Sequence, residues 1–457
     1  MKFLNIQVLL VLSVFICFSS CKDSPSDVDT PDTQMPAANF ECTDGLSNDF
    51  FPCKNISMYA HISNAQLGGT ASNDIWGWTD PMTNKEYALV GLTDGVSFVD
   101  ISNPVEPIIV GKLEESLITD KFKNLSALDF PGCFIGVNSN LLSKKLEKGS
   151  IWRDMKVHNN YMYVVSDNQA HGMQVFDLTR LRSYDGTPLS FSHDALYDKF
   201  AGAHNVAINE NTGFAFVTGV TTSDFCGQRD STGIHIVDIN SPLTPTFAGC
   251  YFDEETDLES FPNIGVGYIH DTQCVNYQGP DTEHQGKEVC FSSAEGAVVI
   301  SDVSDKSSPT TIGFSGLSQM QYSHQGWLTE DHSYFLMNDE LDESNLNRNT
   351  KTYIWNVKNL DSPSFIGHYD HTTTSTDHNL YVKGDYMYQS NYAAGLRVLR
   401  IDDLDNIDLE EVAYFDTQPS TDHVNADGSW SNYPFFDSGV IIVSDIVAGL
   451  FVLKPEF

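Results

Sequence analysis

Positive charge is scarce in this sequence of 457 residues, which has 25 lysines and arginines against 62 aspartates and glutamates and a formal net charge of −37. A surface of that sign repels phosphate backbones and anionic lipid headgroups. We therefore expect no nucleic-acid partner and no binding to an anionic membrane surface. Cations are better candidates, although the acidity also serves to keep an exported protein soluble in salt.

Short catalytic motifs are missing too. The sequence contains no Gly-x-Ser-x-Gly, no glycine-rich phosphate loop and no His-Glu-x-x-His. Serine-hydrolase, nucleotide-binding and zincin functions therefore have no support. None of the nine cysteines forms a Cys-x-x-Cys pair, so their spacing indicates neither a zinc site nor a redox dithiol.

Helical hydrophobic stripes are absent, and beyond residue 18 no segment is long and apolar enough to span a bilayer. The sequence has instead 28 Phe, 19 Tyr and 6 Trp residues, with Gly and Pro spread evenly. This composition favours many short strands joined by turns. The predicted fold class is all-β, and the length permits a large core.

The N-terminus has the layout of an export signal: Lys2, an apolar run over residues 3–18, and the tetrapeptide Phe-Ser-Ser-Cys ending at Cys21. The tetrapeptide resembles a bacterial lipobox, which implies a signal peptide over residues 1–20 and a lipidated Cys21. Two acyl chains make a stable membrane anchor. Residues 21–40, rich in Ser, Pro, Asp and Thr, are typical of a flexible tether. We therefore predict a lipid-anchored protein at the bacterial outer membrane or cell surface.

Export to an oxidising compartment favours disulfides between the other cysteines. Proximity in the sequence predicts that Cys42 bonds with Cys53, and that Cys274 bonds with Cys290 on a hairpin. Cys226 and Cys250 are a third candidate pair, which leaves Cys133 without a partner in the prediction.

An element repeats along the chain: a glycine, an alternating strand ending in Asp or Asn, and a polar turn with proline. Its clearest copies are residues 95–104 and 233–242, and further copies begin at residues 172, 296, 352, 395 and 449. A strand that opens with His and an amide or acid precedes four copies, at residues 204, 270, 324 and 378. Arg153-Asp154 and Asn73-Asp74 occupy the same place in two others.

The period predicts a β-propeller. Successive openings at 153, 204, 270, 324 and 378 are 51, 66, 54 and 54 residues apart, which suits one four-stranded blade per repeat. Seven copies predict a single seven-bladed domain over residues 41–457. The last copy ends after its third strand, so we expect a strand within residues 56–67 to complete that blade and close the ring. Residues 114–149 fit no repeat and are predicted to be an insertion over one face.

Several stretches resemble one known family. They are Trp152-Arg-Asp, His171-Gly-Met-Gln-Val-Phe-Asp-Leu, Ala203-His-Asn, Gly279-Pro-Asp, Tyr322-Ser-His-Gln-Gly-Trp-Leu-Thr-Glu-Asp, Asn338-Asp-Glu-Leu-Asp-Glu, Asp377-His-Asn-Leu-Tyr-Val and Tyr433-Pro-Phe-Phe. The chain is similar, from about Cys42 to Leu453, to the choice-of-anchor B family of LVIVD-type repeat propellers. The resemblance implies the architecture and an extracytoplasmic setting, and it implies no particular reaction.

Blade geometry predicts where polar residues from distant repeats meet, because the start of each innermost strand and the end of the second strand lie on one face of the ring. The strand starts supply metal-ligand candidates at His204, His270, His324 and His378. The remaining candidates for ligand binding are Arg153, Asp154, Asp167, His171, Glu295, Asp339, Glu340, Asn391 and Asp445. Such a set suits a divalent metal, which could be Ca, Zn, Fe, Cu or Mn.

Each of these patterns also has a structural interpretation. Histidines repeated at one blade position could each make the same hydrogen bond to the next blade, and alternation places His378 on the strand face of Leu380 and Val382. Arg153 could clamp a carboxylate or sulfate, or pair with Asp154 or Asp167. The acidic run over residues 338–343 could bind calcium, but a solvated loop is the favoured interpretation.

Two functions remain open. The first is a surface-anchored propeller that binds an extracellular ligand, glycan or protein at one axial face, with or without a divalent metal held by the histidines and carboxylates. The second is a metal-dependent enzyme, an oxidoreductase or hydrolase, with a four-histidine axial centre. Both functions predict the same fold, so the fold does not separate them.

Overall fold

The computed structural model describes residues 39–116, 149–223, 225–226, 232–252, 268–420, 423–424 and 426–457. These residues fall within one compact unit, Gln34–Phe457. The signal peptide, Cys21, almost all of the tether, Cys133 and most of the insertion lie outside the described residues. Among the residues described, no helix is long and apolar enough to cross a membrane.

Seven antiparallel sheets, each with four strands from inner to outer edge, form seven blades. Blades 1 to 3 are Ser72–Thr79, Glu86–Leu92, Gly95–Asp100 and Ile108–Glu114; Arg153–His158, Tyr161–Ser166, Met173–Asp177 and Ala195–Tyr197; Asn205–Asn209, Phe214–Thr218, Ile234–Asp238 and Thr246–Tyr251. Blades 4 and 5 are Asp271–Asn276, Glu288–Ala294, Ala297–Asp302 and Thr310–Gly316; Ser323–Leu328, Tyr334–Asp339, Lys351–Asn356 and Ser364–Asp370. Blades 6 and 7 are Leu380–Lys383, Tyr386–Ser390, Leu396–Asp403 and Asp408–Phe415; Ser429–Tyr433, Ile441–Asp445, Gly449–Pro455 and Ile56–Ile62.

A few short elements extend this frame. Leu46–Ser47 and Phe51–Lys54 continue blade 6 outward, Leu189–Phe191 pairs in parallel with the outer strand of blade 1, and Phe200–Gly202 pairs with Thr221–Ser223. The helical segments among the described residues are Asn64–Leu67, Leu178–Ser183 and Asp342–Leu346.

The ring closes as the sequence predicts. Ile56–Ile62 runs antiparallel to Gly449–Pro455, with Met58 opposite Leu453 and Ile62 opposite Leu450. The inner strand of blade 1 in turn lies against the inner strand of blade 7. Joining the two ends of the chain in one sheet leaves no unpaired edge between the first and last blades.

The hydrophobic core lies between neighbouring blades. In blade 1 every residue of Glu86–Leu92 is buried, because the strand is covered on both faces by adjacent sheets. The contact between blades 1 and 2 includes Phe98 stacked on Phe176, with ring centroids 4.9 Å apart. Layers of this kind fix the angle of each blade and thereby the position of its inner strand near the axis.

All three predicted disulfides are present. Cys42 bonds with Cys53 and ties the N-terminal segment to the extension of blade 6. Cys274 bonds with Cys290 across the first two strands of blade 4, where they are direct partners in the register. Cys226 bonds with Cys250.

Candidate metal centre at the propeller axis

Four histidines from four consecutive blades meet at one mouth of the ring. Along the row His204, His270, His324 and His378, successive ring centroids are 4.6, 4.2 and 4.3 Å apart. Trp430, at the same position in blade 7, continues the row 4.7 Å from His378. Residues far apart in the sequence therefore share one space, as the blade geometry predicts.

The Nδ1 atoms of three of these rings are held by acceptors. His204 Nδ1 lies 3.1 Å from Asp167 Oδ1, His270 Nδ1 2.9 Å from the carbonyl oxygen of His324, and His378 Nδ1 2.5 Å from that of Trp430. Carbonyl oxygens only accept, so the Nδ1 atoms of His270 and His378 carry the proton. In the neutral ring the Nε2 atom then carries a free lone pair, which is the atom and the form that binds a metal ion.

The two interpretations of the repeated histidine therefore apply to different ring atoms. The bonds of His270 and His378 to the next blade are the structural signature expected from repetition. The same bonds orient each Nε2 away from the blade contact. His378 is thus tied to blade 7 through one nitrogen while the other faces Glu340.

Glu340 is the carboxylate that reaches this row. Its Oε2 lies 3.7 Å from His324 Nε2, and its Oε1 lies 3.8 Å from His378 Nε2. These gaps are too long for hydrogen bonds. Ligand atoms sharing a tetrahedral ion with bonds of about 2.1 Å lie about 3.4 Å apart, so a small side-chain movement would let all three bind one metal. The hydroxyl of Tyr392 donates to Glu340 Oε1 at 2.8 Å and steadies it.

Burial keeps most of the row neutral. It holds the pKa of His270 and His324 well below the usual range, with neighbouring imidazoles adding to the effect, and it lowers the pKa of His378 to about 4. Burial also opposes the cation at His204, but Asp167 outweighs it and raises the pKa of that ring. Neutral imidazoles near pH 7 are the form that binds metals.

The row opens into a cavity at the mouth. Its lining is Trp152, Arg153, His204, Asn205, His270, His324, His378, Asn379 and Trp430. Deeper along the inner strands, Lys156 donates to Asp74 at 3.2 Å and to Asp154 at 2.5 Å. Aromatic rings pack beyond it, with Trp327 5.0 Å from Tyr381.

Arg153 binds His171 and also Glu115, which is not among the predicted site residues. Arg153 donates to Glu115 Oε1 at 3.1 Å and to the carbonyl of Leu92 at 3.0 Å, and its Nη1 lies 2.7 Å from His171 Nε2. The predicted ion-pair partners, Asp154 and Asp167, are therefore wrong for this guanidinium. Asp154 pairs with Lys156 instead.

Glu115 explains the arrangement, because it also accepts from the backbone of Gly149 at 2.8 Å and from Asn168 at 3.0 Å. Residues from both ends of the insertion thus meet beside the histidine mouth. Glu115 lies in the segment that fits no repeat, so periodicity gave no signal for it.

The other predicted site residues do not reach the mouth by any observed contact. Asp339 accepts the backbone N–H groups of Gln321 and Tyr322 at 2.6 and 2.7 Å, and Asp445 accepts those of Val447 and Ala448 at 2.9 and 2.8 Å, so both shape turns. Glu295 is half-buried with φ 46°, and burial raises its pKa to about 7. Asn391 is fully buried.

The acidic run over residues 338–343 differs from the solvated loop favoured by the sequence analysis. Asp342 and Glu343 are 0% and 1% exposed and begin the short helix Asp342–Leu346. Tyr392 and Trp430 were not among the predicted site residues. Trp430 follows His378 by 52 residues, so the period alone would have found it.

Comparison with known protein families identifies one type of repeat in the chain. The LVIVD repeat model matches residues 84–114 and 292–314, which lie in blades 1 and 4. The chain is a β-propeller with LVIVD repeats. Comparison with the curated proteins gives no match.

Solved structures resemble this LVIVD-repeat propeller weakly. A Lactobacillus plantarum protein is 11% identical with a TM-score of 0.48, covering 81% of this chain and 88% of that one. A Myceliophteria thermophila β-propeller domain is 10% identical with a TM-score of 0.48, covering 85% and 97%. A putative 6-phosphogluconolactonase from Bacteroides fragilis is 11% identical with a TM-score of 0.46, covering 74% and 82%. No functional argument rests on similarities of this size.

Proposed function

We propose that His324, His378 and Glu340 hold one divalent first-row transition metal at the mouth of the propeller, and that the protein uses this mouth to bind an extracellular ligand. The observation that carries the proposal is the convergence of one ligand atom from each residue, all within 4.8 Å of one another. Two imidazole nitrogens and one carboxylate oxygen suit Zn, Fe, Mn or Cu better than Ca, which prefers oxygen alone.

The surroundings support an open coordination position. His270 and Trp430 flank the metal ligands, and the adjoining cavity is lined by residues of blades 2 to 7. A polar group of a glycan, a protein or a small molecule could bind the metal from that cavity, with Trp152 and Trp430 offering flat rings against it.

The location of the protein in the cell is part of the same proposal. The lipobox resemblance at Cys21, the tether and the disulfides support an exported choice-of-anchor B lipoprotein, attached by acyl chains to the bacterial outer membrane or cell surface. Incorporation of labelled palmitate into the full chain, and none into Cys21→Ser, tests this anchor. Equal labelling of both proteins would contradict it.

Metal analysis of the purified full-length protein in detergent tests the site. We expect about one equivalent of Zn, Fe, Mn or Cu per chain, lost in His324→Ala and His378→Ala while the fold is kept. The matched control is His332→Ala, because His332 lies on the hairpin at the opposite end of the same two strands of blade 5 and should leave the metal in place. A metal-free wild type whose variants only melt earlier would contradict the proposal.

A metal-dependent enzyme, an oxidoreductase or hydrolase, is the second candidate, and one observation favours it. His204 lines the same cavity and pairs with Asp167, which raises its pKa while its neighbours stay neutral. Groups with pKa values pushed apart are typical of acid and base partners. Metal-dependent turnover that is lost in His204→Gln with the metal retained would favour the enzyme. Retained ligand binding without turnover would favour the binding protein.

A further inference from the structure

A second group of metal-ligand atoms lies on the face of the ring opposite the mouth. Asp281 and His284 belong to the hairpin between the first two strands of blade 4, and Asp361 belongs to the turn after the third strand of blade 5. One ligand atom from each residue lies within 4.8 Å of the other two. Among the residues that the structure describes, only the mouth has another such group.

Hydrogen bonds of the two loops hold these side chains in place. Asp281 Oδ2 accepts from the backbone N–H of Leu360 at 2.9 Å, and its Oδ1 accepts from that of Glu283 at 3.2 Å. His284 Nε2 lies 3.1 Å from Asp361 Oδ2. The imidazole is buried, whereas Asp361 is exposed. The loop of blade 4 thus contacts blade 5 through two polar pairs, and the exposed carboxylate is free to turn towards an ion.

The junction of blades 1 and 2 joins the corresponding loops in another way. Asp80 lies in the first hairpin of blade 1, and its Oδ1 accepts from the backbone of Met82, as Asp281 Oδ1 does from the residue two places on. Arg182, after the third strand of blade 2, donates to both carboxylate oxygens of Asp80 at 2.9 and 2.6 Å. Asp361 lies in the corresponding turn of blade 5. A carboxylate therefore faces Asp281 where the other junction has a cation.

The charge of the two carboxylates is not balanced by the protein. Among the described residues, no lysine or arginine forms a salt bridge with Asp281 or Asp361. Lys287 is close by, but its Nζ lies 3.1 Å from Asp302 Oδ2 and pairs with that carboxylate. Two carboxylates beside a neutral imidazole match the charge of a divalent cation. Carboxylate oxygen and imidazole nitrogen are ligands of Zn²⁺, and a water molecule can complete its four positions.

We propose that Asp281, His284 and Asp361 bind Zn²⁺ or a similar first-row divalent ion, which joins blades 4 and 5 on the face opposite the mouth. Lys287 Nζ only donates, so His284 Nδ1 accepts from it at 3.2 Å, and the neutral ring carries its proton on Nε2, facing Asp361. The ion replaces that proton. The Nε2–H bond breaks and its proton passes to water, Nδ1 takes up a proton from water, and Lys287 keeps its contact with Asp302.

This site should bind its ion more weakly than the mouth does. The ion has to displace a proton from His284, whereas Nε2 of His378 already carries a lone pair. The side chain of Asp361 is also 59% exposed, so water competes for it. We therefore expect the site to be empty after dialysis and filled in added Zn²⁺. Metal analysis of the dialysed protein then counts the mouth alone, so the two sites can fail independently.

Calorimetric titration of the chelator-treated full-length protein with Zn²⁺ in detergent tests the site. The variant His324→Ala/His378→Ala removes the mouth and should still bind about one equivalent. Adding His284→Gln should weaken this binding by more than about 100-fold, since even an outer partner of a metal ligand is worth 10- to 100-fold. The matched control is His368→Gln, because His368 lies 3.5 Å from Asp370 with no third ligand gathered beside them among the described residues. It should leave the binding unchanged.

No Zn²⁺ binding without the mouth, or equal binding after His284→Gln, would overturn the proposal. Should the variant without the mouth not fold, His284→Gln in the otherwise unchanged protein decides. It should lower the Zn²⁺ bound at saturation by one equivalent, and an unchanged amount would contradict the assignment.

Asp361→Arg gives the junction of blades 4 and 5 the charges of the junction of blades 1 and 2. This exposed substitution should abolish Zn²⁺ binding at the site. In chelator it should melt above the wild type, because the guanidinium supplies a cation to Asp281. A variant that melts below the chelator-treated wild type, or that still binds the ion, would contradict the proposal.

Discussion

Blades 2 and 5 place different side chains at the same point of the repeat, and they differ in how those side chains are satisfied. The guanidinium of Arg153 in blade 2 forms hydrogen bonds with Glu115, Leu92 and His171. Nδ1 of His324 in blade 5 has no hydrogen-bond partner, and its Nε2 lies 3.7 Å from Glu340 Oε2, too far for a hydrogen bond. One position of the repeat thus serves to fasten an insertion in one blade and leaves ligand atoms free in the other.

The comparison suggests a general criterion for repeat proteins. A side chain that recurs at one blade position is structural to the extent that its polar atoms are paired inside the protein. His270 and His378 meet this criterion with Nδ1 and fail it with Nε2. Within one histidine, Nδ1 can therefore have a structural role while Nε2 is available to bind a ligand.

Removing Glu115 should have the largest effect. Glu115→Ala leaves the fully buried Arg153 without its counter-charge, which costs about 3–5 kcal/mol in the free energy of unfolding. Urea denaturation measures the loss. Adding Arg153→Met should recover much of it, since the uncompensated charge is gone. A Glu115→Ala variant as stable as the wild type would show that the ion pair does not stabilise the blade.

Acidification should have the second-largest effect, because it lowers the free energy of unfolding through His378. The folded-state pKa of His378 is lowered to about 4 from an ordinary 6.5. Between these values the unfolded chain binds a proton that the folded chain refuses, so stability falls as pH falls through that window. From pH 7 to 5, His378 should account for a loss of about 2 kcal/mol. Urea denaturation of the chelator-treated proteins should show a correspondingly shallower decline for His378→Asn than for the wild type, and identical slopes would contradict the assigned burial.

Tyr392 should have the smallest effect of the three. Tyr392→Phe removes the hydroxyl that steadies Glu340 and leaves the ring packed on His378, with centroids 4.7 Å apart. Loss of such a supporting hydrogen bond weakens metal affinity by about 10-fold. Competition with a chromophoric chelator measures this change. An unchanged affinity would mean that Glu340 does not ligate the metal.

Periodicity predicted what repeats and missed what does not. The spacing of residues 153, 204, 270, 324 and 378 led to the number of blades, the closing strand and the shared mouth, because each blade is one copy of the same unit. Glu115 belongs to the unrepeated insertion, so its pairing with Arg153 was not foreseen. The acidic composition of residues 338–343 favours a solvated loop, but Asp342 and Glu343 are buried. Their burial depends on how the blades pack against one another, and the local sequence carries no signal for that packing.

The most direct measurement is anomalous diffraction from crystals of the metal-loaded protein, collected at the absorption edge of that metal. The account predicts one strong peak at the mouth of the propeller, about 2.0–2.2 Å from His324 Nε2, His378 Nε2 and a Glu340 oxygen. Metal-loaded crystals without a peak there, or with the peak bound elsewhere and the imidazoles facing apart, would contradict it.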